Sequence, residues 1–444
     1  MYYSHSTADS DTKKTKQTMD YDIPIVSGTP MPPPMAPNNS AYDTTTYNAM
    51  GQAQTTSRPN LHTATATNGG RSSRVVLPTA GQENIRISSQ TIRDLRDQGF
   101  TQGLAESLQT NKRAFPLSIW IIDNSGSMNQ RDGHRFVETT NSSVVKVVEC
   151  TRWAEMQQTV SYHVQLAALL QSPTVFRMLN DPGRVAGPQQ FSIAETTTSS
   201  SPGGGSDAMT RISEQVAVAQ QVMLNTTPGG VTPLIPHLQE VRQNILDMED
   251  QLRAEGAKVV LVLATDGLPT DERGISDRAT QQQFVSALRS LEGLPVWIVV
   301  RLCTDEDEVV DFWNNLDNQL ELSLEVLDDF IAEAKEIQET NAWLNYGLPL
   351  HRMREMGFYS KLFDMLDERK LAKDELRDFF RLLFGTNHMD GVPDPEADWS
   401  GFVDSIERLC RKEGKTWNPI TKRMDYWVDI RKLKRAYKKK GWFW

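Results

Sequence analysis

Apolar runs and amphipathic stretches alternate through the middle of the chain. The apolar runs predict six β-strands, at 116–122, 173–179, 190–195, 258–264, 295–302 and 320–327. Between them, apolar residues recur with helical spacing and predict helices at about 151–171, 208–225, 233–254, 277–291 and 306–316. Strands that alternate with helices are typical of an α/β fold with a mostly parallel sheet, which helices cover on both faces.

Two segments interrupt this alternation. Residues 133–150 predict a β-hairpin, because two strand-like stretches flank the turn-forming sequence Thr-Thr-Asn-Ser-Ser. Residues 196–206 are rich in serine and glycine and predict a flexible loop. Both segments lengthen the connections of the predicted sheet.

The segments on either side of this region have different patterns. Residues 1–85 contain no Phe or Trp and are rich in small and polar residues, so they predict a disordered low-complexity tail. Residues 86–114 predict a helical lead-in to the sheet region, which we place at 115–330. Residues 331–444 lose the strand pattern and predict a helical C-terminal extension. Its predicted helices fall within 329–384, 395–412 and 425–440.

Charge is unevenly distributed along the chain. The formal net charge is −10, yet residues 411–440 hold twelve lysines and arginines against three acids. An acidic main domain argues against a nucleic-acid partner. The basic segment and the terminal sequence Gly-Trp-Phe-Trp suit a weak contact of residues 431–444 with anionic lipid. A solvated helix that docks on the protein and a nuclear-localisation role are the alternatives.

Three cysteines occur, Cys150, Cys303 and Cys410, and no two of them form a C-x-x-C pair. This usage argues against a disulfide framework and a structural zinc site, and it favours a reducing compartment. The chain shows no apolar signal core near residue 1 and no run of apolar residues long enough to span a membrane. We therefore expect an intracellular protein, cytoplasmic or nuclear.

Candidate chemistry is concentrated at three points of the predicted sheet region. Asp123, Ser125 and Ser127 directly follow the first strand. Thr232 stands at a predicted helix start, where it could also cap the helix, and Asp266 ends another apolar strand. Carboxylate and hydroxyl oxygens form a hard site of low charge, which suits one divalent cation, Mg²⁺ first and Mn²⁺ or Ca²⁺ as alternatives.

This pattern resembles the von Willebrand factor A (VWA) domain and its metal-ion-dependent adhesion site (MIDAS). The family pattern is D-x-S-x-S, then a threonine, then an aspartate, and all five positions match in order. The resemblance covers about 115–330 and implies a doubly wound, Rossmann-like fold. It also implies that the hairpin at 133–150 is an insertion beside the metal, and we expect this hairpin to set partner choice.

The resemblance also assigns roles to the five residues. Ser125 and Ser127 would be direct ligands, and Asp123 and Thr232 would bind directly or through water. Asp266 would be bridged by water. The resemblance further implies that one coordination position stays open for a Glu or Asp of a partner protein.

Enzyme functions fit the sequence less well. A phosphoaspartate phosphatase needs a second carboxylate two residues after the first, and Ser125 occupies that position. No G-x-S-x-G motif occurs. We therefore expect a metal-dependent protein-binding module, an adaptor or scaffold and not an enzyme. A peripheral membrane adaptor that uses 431–444 and an accessory subunit of a larger enzyme assembly stay open as alternatives.

Overall fold

The computed structural model describes residues 87–138, 145–195, 205–304, 306–317 and 319–438, without the side chains of 138, 205–207 and 317. The predicted tail at 1–85 therefore lies outside the described residues. So does most of the predicted loop at 196–206, whose end already belongs to a helix that begins at Gly205.

Short strands supply a central sheet and two hairpins in the described chain. The strands are β1 (Leu117–Ile122), β2 (Gly133–Glu138), β3 (Val145–Cys150), β4 (Thr174–Met178), β5 (Gln190–Ile193), β6 (Val259–Thr265), β7 (Val296–Leu302), β8 (Leu324–Leu327), β9 (Lys415–Asn418) and β10 (Arg423–Tyr426). The central sheet has the order β5-β4-β1-β6-β7-β8. Its pairs are parallel except β4 with β5. All six predicted strands of the sheet region are confirmed.

Helices fill the connections and most of the chain after the sheet. They are α1 (Ser89–Asp97), α2 (Gln102–Ala114), α3 (Arg152–Leu170), α4 (Gly205–Asn225), α5 (Leu234–Asp247), α6 (Glu249–Glu255), α7 (Arg278–Arg289), α8 (Asp307–Asp317), α9 (Phe330–Thr340), α10 (Leu348–Glu355), α11 (Lys361–Glu368), α12 (Lys373–Phe384), α13 (Thr386–Met389), α14 (Trp399–Glu413) and α15 (Ile430–Ala436). The five helices predicted between strands are confirmed, with the third of them, at 233–254, divided into α5 and α6.

The central sheet is buried on both faces. Alternate residues of β1 point to opposite sides, as strand geometry requires. Ile119 and Ile121 belong to a core with α5, α7 and α8, whereas Trp120 and Ile122 belong to a core with α3 and α4. Because helices shield both faces, the central strands carry the continuous apolar runs seen in the sequence.

A third core joins helices that lie far apart in the sequence. Leu104 and Leu108 of α2 share it with Leu383 and other residues of α9 to α15. The backbones of α2 and α12 approach so closely that a Cβ on Gly103 would lie 2.2 Å from the backbone nitrogen of Gly385. The helices before the sheet therefore pack against the helices that follow it.

The region after α14 differs from the prediction, which placed only helices there. β9 and β10 form an antiparallel hairpin, so the predicted helix at 425–440 is wrong over its first residues. The side-chain Oδ1 of Asn418 accepts hydrogen bonds from the backbone nitrogens of Ile420 and Thr421, at 2.9 and 3.0 Å, and stabilises the turn. Helix α15 begins only at Ile430.

The described part of the basic tail docks on the protein. Leu433 of α15 is fully buried, and the Tyr437 ring lies 5.3 Å from the Trp399 ring. Residues 439–444, which complete the predicted lipid contact, lie outside the described residues. Among the described helices, none has the length and apolar character needed to cross a membrane.

The predicted hairpin at 133–150 is confirmed as β2 and β3, although its turn lies outside the described residues. The backbone of Phe136 exchanges two hydrogen bonds with the Gln158 side chain of α3, at 3.1 and 2.9 Å. Its ring contacts the rings of Phe330 and Trp417, at 5.3 and 5.7 Å. The hairpin thus ties α3 to the C-terminal region. Its expected role in partner choice stays a prediction.

A buried ion network joins α3, β7 and α10. The fully buried carboxylate of Glu355, at the end of α10, accepts hydrogen bonds from Arg352 at 2.7 Å, His163 of α3 at 3.0 Å and Arg301 of β7 at 3.4 Å. Burial alone would raise the pKa of Glu355, but Arg352 and His351 hold it well below its usual range. The carboxylate therefore stays ionised in the folded protein.

We expect Glu355→Ala to lower the free energy of unfolding by about 3–5 kcal/mol, because it leaves buried cations without their anion. Chemical denaturation at neutral pH measures this loss. The matched control is Glu339→Ala, which removes an exposed glutamate of α9 and should change stability by less than about 0.5 kcal/mol. Equal losses in the two variants would contradict the structural role of Glu355.

Candidate metal centre

The predicted site lies where two neighbouring strands end. Asp123 follows β1 and Asp266 follows β6, and these strands pair in parallel with Ile122 opposite Ala264. The chain leaves β1 towards β4 on one side of the sheet and later returns to β6 on the other side. Such a switch in strand order opens a crevice at the carboxyl ends of the strands, which is where α/β sheets bind ligands.

Four of the predicted residues form one hydrogen-bonded group. The Ser125 and Ser127 hydroxyl oxygens lie 3.0 Å apart, and the Ser127 hydroxyl donates to Asp266 Oδ1 at 2.9 Å. Asp123 Oδ1 accepts a hydrogen bond from the backbone nitrogen of Ser125 at 2.8 Å. The loop after β1 therefore presents its oxygens towards the carboxylate at the end of β6.

Thr232 lies beside this group. A Cβ placed on Gly267, next to Asp266, would lie 4.0 Å from the Thr232 hydroxyl oxygen. The backbone of Thr232 exchanges two hydrogen bonds with Thr270, at 2.9 and 3.0 Å, so the two loops are held together. Helix α5 begins after Pro233 without a side-chain cap, so the prediction that Thr232 caps it is wrong.

Backbone and amide contacts fix the loop that carries Asp123. The Asn124 side chain exchanges two hydrogen bonds with the Asn180 backbone, at 3.0 and 2.8 Å. The backbone nitrogen of Gly126 donates to the Gly230 carbonyl oxygen at 3.2 Å. These contacts join the loop to the segments after β4 and before α5, so the position of the hydroxyl groups is set before any ligand binds.

The carboxylate of Asp123 is fully buried. Burial first, and the nearby charge of Asp266 second, raise its pKa to about 6. The Thr265 hydroxyl donates to Asp123 Oδ2 at 2.7 Å and partly offsets this rise. Two buried carboxylates that repel one another are an arrangement that a bound cation relieves.

Arg152 holds the second carboxylate in place and was not anticipated from the sequence. This arginine opens α3, is 1% exposed and donates to Asp266 Oδ2 at 3.0 Å. It also pairs with both oxygens of Asp132, at 2.7 and 2.5 Å, and with Glu306 at 2.7 Å. Asp266 therefore keeps one oxygen towards Arg152 and the other towards Ser127.

Sequence reasoning also missed Thr265, Asn124 and Asn180. Thr265 directly precedes Asp266, so a polar residue at the end of an apolar strand was a usable signal. The contact between Asn124 and Asn180 left no such signal, because it depends on how two distant loops meet in the fold.

A second group of acids in the described chain is a weaker candidate. Carboxylate oxygens of Glu333, Glu336 and Asp367 lie within 4.8 Å of one another. Arg354 donates to Glu333 and lies 3.6 Å from Asp367, so a guanidinium already supplies the compensating charge. We assign no cation to this group.

The oxygen set around Asp123 fits a hard divalent cation, since its donors are two carboxylates and three hydroxyl groups and no sulfur or imidazole. Ser125, Ser127 and Thr232 are neutral, and Arg152 offsets part of the charge of Asp266. Comparison of the chain with protein-family models gave no match, and a search of curated proteins gave none either. Function is therefore argued from the residues of this chain.

The buried negative charge of Asp123 lowers the stability of the metal-free folded protein. Because the pKa of about 6 in the folded state exceeds the ordinary value of 3.8, the stabilisation from protonation is complete below the ordinary value and is lost as pH rises through about 6. We expect Asp123→Asn to raise the free energy of unfolding of metal-free protein at neutral pH by on the order of 1–3 kcal/mol.

Denaturation of both proteins at about pH 5 and pH 7.5 tests this expectation, and the gap between them should widen at the higher pH. Asp181→Asn, in the exposed loop after β4, is the matched control and should show no such gap. A variant Asp123→Asn that is less stable than the parent at both pH values would contradict the argument.

Proposed function

We propose that the chain is a metal-dependent protein-binding module of the VWA type and uses a MIDAS-like site to capture an acidic residue of a partner. The observation that carries this proposal is the hydrogen-bonded group of Asp123, Ser125, Ser127 and Asp266 at two adjacent strand ends. Thr232 stands beside the set, in the order and setting that the family pattern requires.

The cation in this proposal is Mg²⁺, with Mn²⁺ and Ca²⁺ as the alternatives. Ser125, Ser127 and Thr232 contribute no charge, so a bound ion would keep much of its attraction for an outside anion. Arg152 strengthens this effect, because its guanidinium already pairs with one oxygen of Asp266. The carboxylate of a partner Asp or Glu is the ligand that such an ion would bind most strongly.

In this proposal the residues of the site bind and orient, and they catalyse no reaction. The hydrogen bonds from Thr265 and Ser125 fix the Asp123 carboxylate, and Arg152 fixes that of Asp266. A rigid set of ligands favours a protein contact of strict geometry, because little conformational freedom is lost when the partner binds. An adaptor or scaffold is the role that fits, and a nucleic-acid partner is not part of this proposal.

Metal binding tests the first half of the proposal. We expect the full chain to bind one Mn²⁺ by titration calorimetry and Asp123→Ala to lose this binding. Asp181→Ala, which removes a carboxylate from a neighbouring loop at the same edge of the sheet, should bind Mn²⁺ like the parent. Unchanged Mn²⁺ binding by Asp123→Ala would refute the site.

The second half of the proposal is that the bound ion keeps one coordination position open for an acidic residue of a partner. Water-proton relaxation of protein-bound Mn²⁺ reports how many water molecules exchange at the ion. We expect a short peptide with a central glutamate to displace bound water and the same peptide with glutamine to leave it in place. If both peptides left the relaxation unchanged, the chain would bind metal without the proposed recognition of an acid.

Affinity capture tests whether partner binding depends on the metal site. Affinity capture with the full chain in Mg²⁺ buffer should recover proteins that are lost in EDTA and with Asp123→Ala. Recovery that ignores both EDTA and Asp123→Ala would place partner binding on another surface.

A further inference from the structure

A cavity lies at the opposite end of the central sheet from the candidate metal centre. It has a volume of about 450 Å³, which falls in the range of small-molecule sites. Phe115 and Lys258 line it just before β1 and β6 begin, and Trp297 of β7 and Ser323 line it beside them. The cavity is therefore built at the amino ends of the parallel strands.

Two helical regions supply the other walls. Residues Ser107 to Ala114 of α2 form one wall, and Phe358, Tyr359 and Leu382 form the other. The backbone nitrogen of Lys258 donates to the Ala114 carbonyl oxygen at 2.8 Å, which fixes α2 against β6. The cavity thus lies where the sheet, the helices before it and the helices after it meet.

The turn after α10 places the aromatic wall. Gly357 has φ +78°, and a Cβ there would lie 2.4 Å from Val260 Cγ1, so the position requires glycine. The Phe358 backbone nitrogen donates back to Met353 at 2.9 Å and closes the turn. This turn therefore holds Phe358 and Tyr359 in position.

Four aromatic side chains belong to the lining: Phe115, Trp297, Phe358 and Tyr359. The rings of Trp297 and Tyr359 meet edge to face with their centres 4.7 Å apart. Trp297 is 6% exposed, but Tyr359 leaves 54% of its surface open at the mouth of the cavity. Exposed aromatic surface beside a buried indole offers a flat apolar ligand two rings to pack against.

Three polar side chains of the cavity have no hydrogen-bond or ion-pair partner among the described residues. Asn111 is 93% buried, since its exposed fraction is 7%, and its side-chain amide makes no hydrogen bond to another described residue. The indole nitrogen of Trp297 also lacks an acceptor there. Lys258 is exposed, and its ammonium group forms no ion pair with any described residue. A buried polar atom is normally satisfied, so the Trp297 nitrogen points to a ligand with a hydrogen-bond acceptor. The Asn111 amide and the Lys258 ammonium group are available for further polar contacts, and the positive charge of Lys258 favours an anionic ligand.

We propose that this cavity binds a small aromatic anion. The rings of the ligand would pack on Trp297 and Tyr359, and its carboxylate, sulfonate or phosphate would pair with Lys258. The Asn111 amide would donate to or accept from a polar atom of the ring system. This site uses none of the proposed metal ligands, so it is independent of the function proposed above.

Two fluorescent probes distinguish the contribution of the ligand's negative charge to binding from that of its aromatic rings. The sulfonate 8-anilinonaphthalene-1-sulfonate carries both, and N-phenyl-1-naphthylamine carries the rings alone. We expect the full chain to bind the sulfonate saturably and with the same affinity in EDTA. Absence of saturable binding overturns the proposal.

Variants then assign the contacts. Lys258→Gln should weaken the sulfonate by about five- to tenfold, the effect of one charge-assisted contact, and leave the neutral probe unchanged. Tyr359→Ala should weaken both probes, and Tyr359→Phe should restore them. The controls are Lys422→Gln and Tyr426→Ala, which alter exposed residues at the β9–β10 hairpin and should bind like the parent.

The same variants can also contradict the proposal. If Lys258→Gln and Tyr359→Ala bind both probes as the controls do, the probes occupy another surface and the cavity has no such ligand. Equal weakening of both probes by Lys258→Gln would likewise overturn the assigned role of the ammonium group.

Discussion

The pairing of buried charges around α3 is the constraint on which the rest of the structure depends. Glu155 pairs with Arg301 of β7, which also reaches Glu355 of α10. One helical turn earlier, Arg152 pairs with Asp266 at the end of β6. Buried charges persist only when partners meet them in the folded state, so the first turn of α3 fixes both the C-terminal helices and the candidate metal centre to the sheet.

The same constraint explains why the candidate centre is rigid. Asp123 cannot exchange its hydrogen bonds for water, because it is fully buried and its partners come from Ser125 and Thr265. A buried carboxylate of this kind costs stability unless a cation accompanies it. Proteins tolerate such costs mainly at sites that bind or react, and here Ser125, Ser127 and Asp266 surround the costly group.

Much of the sheet and of the site could be predicted from sequence because the signals are local. Apolar runs fix the strands, and Asp123, Ser125 and Ser127 are adjacent in the chain. Arg152 could not be predicted, since its contact with Asp266 exists only once β6 and α3 come together. The β9–β10 hairpin was missed for another reason: its four-residue strands are too short to show a clear alternation beside strong helical patterns.

The contact between α2 and α12 has a consequence for how the chain folds during synthesis. The Thr101 hydroxyl donates to the Leu383 carbonyl oxygen, across a sequence separation of 282 residues. Until α12 leaves the ribosome, the apolar side of α2 lacks its packing partner, although all six strands of the central sheet have already been synthesised. The helical core therefore cannot close until α12 is available, and a chain halted before α12 would expose an apolar face that favours chaperone binding or aggregation.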